Sequence, residues 1–373
     1  MKGENMKKSI PNIIFLVVLS CIVAFFSISY VLVDAKSFSE DENRLLQTEP
    51  RFTFEKLLDG TYTRQLHDYF SDQINLRSTM VGFKAIFELA IGKNENNGVL
   101  LGKDGFLIET YPYTDKNLNN LESNIAKIDN LKAKLEQNGI NVTSAIIPRK
   151  IDVLDSCLPP YYSTERNDAI WELVGDSHVN LDAELSPLDS FYKTDHHWTA
   201  FGAYRAYEAL GNSVGYSPKV VEHFNLKTLS NDFLGTTYST SGFFFAKEEQ
   251  LLAPDYESGR FLTTIVDIEY SFDGLYDHSY LAKKDKYSAF LSGNNAHVRI
   301  NDLQNEDKET LLIIKDSYSH SIAPYLIEHY NLELIDPRYF MGSIEKYILE
   351  NDITNVLFLF GADTLASVEL SIK

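Results

Sequence analysis

Two short stretches of the chain concentrate residue types that can do chemistry. The first is Lys193-Thr194-Asp195-His196-His197-Trp198-Thr199, a carboxylate followed directly by two imidazoles. If this stretch is extended, Asp195 and His197 face one side and His196 the other, because side chains alternate along a strand. A carboxylate so placed can orient an imidazole that moves protons. Two other readings compete. A metal ion could take Asp195 and the histidines as ligands, although three consecutive ligands seldom converge on one ion and no second Cys/His cluster completes the set. Alternatively, Asp195 or Thr199 simply caps the next helix, whose apolar side carries Phe201, Tyr204, Tyr207 and Leu210.

The second stretch is Lys315-Asp316-Ser317-Tyr318-Ser319-His320, between the apolar run Leu311-Leu312-Ile313-Ile314 and a helical segment from Ser319 to Tyr330. A serine where a buried strand gives way to a helix sits at the carboxyl edge of an α/β sheet, where such folds place their sites. The helix start adds N–H groups suited to an oxyanion. Taken alone, Ser317 or Ser319 reads equally well as a helix cap. Paired with the first stretch, Ser317 weighs more heavily as a reactive residue than as a cap.

Several elements must position these residues. Leu118, Leu121, Ile125, Ile128, Leu131 and Leu135 mark one face of a helix that stops at Gly139, and Val142 to Ile147 then makes a short strand ending at Pro148. The strand Leu311 to Ile314, the strand Leu332 to Ile335, a helix around Ser343 to Glu350 and the strand Val356 to Phe360 continue the alternation. Continuous apolar strands of this kind predict an α/β fold with a parallel sheet covered by helices on both faces. Residues 225–298, rich in Tyr, Phe, Thr, Ser and Gly, read as a β-leaning insertion. Val99-Leu100-Leu101 and Phe106-Leu107-Ile108 read as a hairpin around Asp104-Gly105. Mixed three- and four-residue spacing over Phe54–Ala90 predicts one or two amphipathic helices.

The N-terminus predicts where the chain works. Ile13 to Val33 is uncharged and mostly apolar, long enough as a helix to cross about 30 Å of hydrocarbon. Lys2, Lys7 and Lys8 precede it, and Asp34, Glu40, Asp41 and Glu42 follow, which places the N-terminus in the cytosol and the rest outside. A cleaved signal is the rival, but the run exceeds the usual core of about 7 to 15 residues. Cys21 falls inside the run and reads as a membrane residue. Cys157 is the only other cysteine, so the exported part has no internal disulfide. A net charge of -19 argues against nucleic acid as a partner. The layout is residues 1–12 cytosolic, 13–33 membrane anchor, 34–95 tether and helical extension, and 96–373 catalytic domain.

Asp195-His196-His197-Trp198 resembles the signature of the DHHW family, and Asp316-Ser317-Tyr318 resembles that family's nucleophile segment. These proteins are similar to the alginate acetylation proteins of Gram-negative periplasms, in which an Asp-x-His-Trp motif and a later Ser form the triad of an SGNH-hydrolase-like fold. Leu101 to Leu107, Pro148-Arg149-Lys150, Phe233-Leu234-Gly235-Thr236-Thr237 and Asp336-Pro337-Arg338-Tyr339 agree with the resemblance, which covers roughly residues 95–373. It implies a circularly permuted SGNH-like sheet, since the Ser follows the His in the chain. The usual Gly-x-Asn-Asp oxyanion block is not visible, and Gly361-Ala362-Asp363 is a loose stand-in.

The implied activity is transfer of acetyl groups to hydroxyls of an exported or cell-surface polysaccharide through a serine acyl-enzyme. Arg338, Tyr318 and Trp198 would contact substrate, and no metal or cofactor would be needed. Acetyl-CoA is cytosolic, so the resemblance also implies a membrane-bound O-acyltransferase partner that supplies acetyl groups. A carbohydrate acetylesterase with the same triad, a non-catalytic glycan-binding or assembly protein, and a metal-dependent hydrolase are the alternatives.

Overall fold

The computed structural model describes residues 2–39, 44–110, 114–162, 171–175 and 177–372. It divides into two units, Met1–Ile91 and Gly92–Lys373.

In the first unit, helix α1 (Lys2–Leu32) is apolar over the 20 residues Pro11–Tyr30, none of which the protein buries. At 1.5 Å per residue that stretch spans about 30 Å, the thickness of a bilayer's hydrocarbon core. The expected amphipathic segment folds as a short turn, Phe54–Leu58, and two longer helices, α2 (Thr61–Gln73) and α3 (Arg77–Ala90). The far end of α1 meets α2, where the Tyr30 ring lies 5.1 Å from that of Phe70 and 6.5 Å from that of Tyr69. The Gln73 amide also brackets the Lys36 backbone, accepting from its N–H at 2.9 Å and donating to its carbonyl at 2.9 Å.

The second unit opens with a small antiparallel sheet of β1 (Glu95–Asn96), β2 (Val99–Leu101) and β3 (Leu107–Glu109), in which β2 and β3 form the expected hairpin. Helix α4 (Asp115–Gln137) starts on a capping box between Thr114 and Asn117 and is followed by Gly139 at φ 79°, a left-handed conformation that glycine adopts without strain. The chain then alternates through β4 (Asn141–Ile147), β5 (Val179–Asn180) and α5 (Ala200–Val214). Next come β6 (Lys227–Phe233), β7 (Glu249–Ala253), β8 (Phe261–Ile265), β9 (Tyr270–Asp273) and β10 (His297–Asp302). The last elements are β11 (Thr310–Lys315), α6 (Ser319–Leu326), β12 (Asn331–Ile335), α7 (Ile344–Glu350), β13 (Asn355–Gly361) and α8 (Ala362–Ser367).

The main sheet runs β9-β8-β10-β12-β11-β13-β4-β5. Strands β12, β11, β13, β4 and β5 pair in parallel. Strands β9, β8 and β10 continue the sheet antiparallel. The sheet is therefore mixed, where continuous apolar strands had predicted a parallel one. Its antiparallel half draws on β8, β9 and the start of β10 from residues 225–298, while β6 and β7 of the same segment pair only with each other in a separate two-stranded sheet. Strand pairing decides this outcome. The β12 edge is left open by the α/β units, and β10 closes it.

Alternation along the central strands loads two cores. Leu311, Ile313, Leu357 and Leu359 face one core with α5 and α6, while Leu312, Ile314, Val356, Phe358 and Phe360 face the other with α4, α7 and α8. The parallel strands β4, β11, β12 and β13 end together, so the residues just after Ile147, Lys315, Ile335 and Gly361 share one edge of the sheet.

Candidate active site

Ser317 stands at that edge, in the turn between β11 and α6. Its Oγ lies 2.8 Å from His197 Nε2, and His197 Nδ1 lies 2.5 Å from Asp195 Oδ1. The structure thus joins three residues from two stretches 120 positions apart in one hydrogen-bonded chain. Asp195 accepts four bonds: the His197 backbone N–H (2.9 Å) and Nδ1 on one oxygen, and the Thr236 N–H (2.7 Å) and hydroxyl (3.0 Å) on the other. Burial works against its charge, but His197 and His196 outweigh burial and hold the carboxyl well below the usual range. Burial and the neighbouring His196 push His197 below the ordinary imidazole value against the opposing pull of Asp195. A neutral His197 whose Nδ1 donates to Asp195 presents Nε2 as an acceptor to the Ser317 hydroxyl.

The segment around His197 is bent, not extended. Phe191 bridges Trp198, and the Tyr192 N–H donates to the His197 carbonyl at 3.2 Å, closing a reverse turn. His196 therefore does not point away, as alternation had predicted. Its ring lies 3.9 Å from that of His197, and its Nδ1 meets the Thr236 hydroxyl at 2.9 Å. Burial lowers His196, but Asp195, Glu109 and Asp363 outweigh it and raise its pKa. Thr199, not Asp195, caps α5, accepting from the Gly202 N–H at 3.2 Å.

Asp195, His196 and His197 bring their ligand atoms within 4.8 Å of one another, a spacing a metal ion can use. Their atoms are nevertheless engaged with each other, Thr236 and Ser317, so a metal would have to displace the whole chain of bonds.

Residues outside the two chemistry-bearing stretches hold the loop. The Glu249 carboxylate accepts from the Lys193 N–H (2.8 Å), the Thr194 N–H (2.8 Å) and the Thr194 hydroxyl (2.6 Å). Lys150, buried and pushed down to about 8 by that burial, donates to the Leu107 carbonyl at 2.7 Å. The Leu107 N–H in turn donates to the Lys193 carbonyl at 2.8 Å. Tyr287 stacks on His197 with ring centroids 3.9 Å apart and planes 11° from parallel. Thr236, Glu249 and Tyr287 all lie within 225–298. Only the Gly235-Thr236-Thr237 stretch carried a signal in the sequence. Its Gly235 is needed because a Cβ there would sit 2.2 Å from Asp195 Cβ and Oδ2.

Each of the three residues expected to contact substrate is engaged within the protein. Trp198 is fully buried, so it has no face to offer a substrate; its indole N–H donates to the Tyr318 carbonyl (3.1 Å) and the Ser321 hydroxyl (2.8 Å). Tyr318 is 2% exposed, and its hydroxyl donates to the His196 carbonyl at 2.9 Å. The Arg338 guanidinium is bound bidentately to Asp336, at 2.9 and 2.7 Å, beside the fully buried Lys315. Its charge is thus engaged in an ion pair with Asp336.

Backbone donors near Ser317 are largely spent. The Tyr318 N–H (3.0 Å) and the Gly361 N–H (2.7 Å) both donate to the Asp316 carboxylate, which removes Gly361 as an oxyanion donor. The Ser319 N–H donates to the Asp316 carbonyl at 3.3 Å. A larger cavity, about 720 Å³, is lined by Leu188, Phe191, Lys193, Phe201, Phe245 and Glu249, among others. Asp195, His197 and Ser317 do not line it.

A DHHW protein model matches residues 108–335, more than half of the chain, which therefore belongs to the DHHW family. Probable alginate O-acetylase AlgJ of Pseudomonas fluorescens is 24% identical over 180 residues, covering 42% of this chain and 44% of that protein. The AlgJ of Pseudomonas syringae pv. tomato is 24% identical over 176 residues, with the same coverage of each. The chain thus spans less than half the length of these curated relatives. A crystal structure of a DHHW family protein from Eubacterium siraeum matches at TM-score 0.58 and 21% identity, over 74% of this chain and 94% of that one. Bacillus cereus PatB1, solved with a sulfonyl adduct, matches at TM-score 0.59 and 21% identity, over 74% and 98%. At this identity the two structures establish a shared α/β fold.

Proposed function

We propose that the chain is an extracytoplasmic O-acetyltransferase, anchored by α1, that moves acetyl groups to hydroxyls of a cell-surface polysaccharide through an acetyl-Ser317 intermediate. The carrying observation is the bonded chain from Asp195 Oδ1 through His197 to Ser317 Oγ at the carboxyl edge of the sheet. The acetylase names of the AlgJ relatives supply the acyl class. A circular permutation of an SGNH-type order accounts for His197 preceding Ser317.

In this mechanism His197 Nε2 takes the Ser317 proton as Oγ attacks the carbonyl carbon of an acetyl donor. The leaving group departs with that proton, and acetyl-Ser317 remains. A sugar hydroxyl then attacks the ester while His197 takes its proton, and the proton returns to Ser317 Oγ as the ester breaks. Asp195 stays ionised and stabilises the imidazolium of both steps. With the Tyr318 and Gly361 N–H groups committed to Asp316, the oxyanion would rely on the N–H of Ser317. Acetyl groups come from a membrane-bound O-acyltransferase partner, because the anchor places this site across the membrane from acetyl-CoA.

The test incubates the protein with a chromogenic acetyl ester, with and without an oligosaccharide acceptor, alongside Ser317→Ala. Acetylated sugar that depends on Ser317 is expected. Ser317-dependent release to water alone would make the protein an esterase, and no dependence on Ser317 would leave a binding protein.

A further inference from the structure

We infer that α3 is an interfacial helix whose apolar face lies in the lipid surface of the membrane that α1 crosses; this rests on the anchor reading above. Six large apolar residues of α3 and its ends are exposed: Leu76 (51%), Met80 (41%), Phe83 (69%), Ile86 (54%), Phe87 (66%) and Ile91 (67%). Their spacing puts them on one continuous arc of the helix. Ala85 on the far side and Gly82 at the border of the arc beside Ile86 are the residues the helix buries. Soluble surfaces seldom leave so large an apolar stripe uncovered.

The occupant follows from where the helix begins. α2 is tied to the outer end of the apolar span by the rings of Tyr30, Tyr69 and Phe70 and by the two Gln73–Lys36 bonds. α3 starts at Arg77, four residues after Gln73. Lipid is therefore next to the stripe wherever the span is embedded, with no second molecule to recruit. The composition fits a headgroup boundary: Phe83 and Phe87 on the apolar arc, Arg77 and Lys84 along one edge of it, and aromatic rings at the end of the span. Leu76 turns the chain into α3 at φ 62°, a left-handed conformation costly for a bulky side chain, and remains exposed there.

The test uses the full chain in phosphatidylcholine–phosphatidylglycerol nanodiscs, with a nitroxide at Phe87→Cys after Cys21→Ser and Cys157→Ser. Relaxation by oxygen, which concentrates in lipid, is compared with relaxation by an aqueous nickel chelate. Oxygen is expected to dominate several-fold at residue 87 and the chelate at Lys84→Cys. A label on native Cys21, exposed on α1, reports the span separately. If Cys21 is not in lipid, the anchor fails and this inference with it. If Cys21 is in lipid but residue 87 favours the chelate, or is shielded from both agents by protein, the anchor stands and the interfacial helix is overturned.

Discussion

In the proposed mechanism His197 can act as a base only while its imidazole is neutral, and the site favours that state. Because burial and His196 lower its pKa, the acid limb of Ser317-dependent ester cleavage falls below the ordinary imidazole value of 6.5. Activity should hold from neutral pH down past that value and fade only in more acidic buffer. His196→Gln removes a neighbour that depresses His197, so its limb should move to higher pH in a rate profile measured beside the wild type. Gly235 offers a second test, since alanine there drives a Cβ into the Asp195 carboxylate. Gly235→Ala should cost about 1–3 kcal/mol in denaturant unfolding. It should also lower kcat in the protein that remains folded, because Thr236 would no longer hold Asp195.

The elements that matter most are the 191–198 turn and the start of α6, and Trp198 links them. Its indole N–H reaches across to the Tyr318 carbonyl and the Ser321 hydroxyl, which fixes how far Ser317 stands from His197. Trp198→Phe keeps the ring packing but removes the indole N–H bonds to that carbonyl and to the Ser321 hydroxyl, at a cost of about 1–3 kcal/mol in stability. Since Trp198 is wholly buried, kcat should fall while KM stays near the wild-type value. A substrate-contacting role would instead raise KM. Tyr287 acts from the other side, stacked on His197 and hydrogen-bonded to the Ser321 hydroxyl at 3.0 Å. The connection between β9 and β10 is thus part of the site's scaffold.

At the scale of the whole molecule, the proposed topology makes a direct prediction. The chain should stay with membranes after alkaline carbonate extraction, and protease added to the outer face should degrade everything beyond α1. Release of a soluble fragment starting near residue 34 would show that the N-terminal helix is a cleaved signal.

Much of this protein was legible from local pattern. The apolar run of α1, the helix ending at Gly139, the buried strands β4, β11 and β13, and the two stretches around His197 and Ser317 depend on spacing, hydrophobicity and turn residues, which one segment carries by itself. The sheet's mixed character, the turn that brings His196 against His197, and the recruitment of Thr236, Glu249 and Tyr287 depend on which distant segments pack together. The Gly235-Thr236-Thr237 stretch stands out in the sequence, but only the fold shows that Gly235 lets the Thr236 backbone come up against Asp195. Trp198 reads as a candidate for substrate contact until the fold buries it. Residue identity and local pattern were enough to pick out the residues able to do chemistry and the elements that would carry them. The tertiary structure decided their partners, because hydrogen bonds, burial and pKa shifts arise only between groups that folding brings within reach.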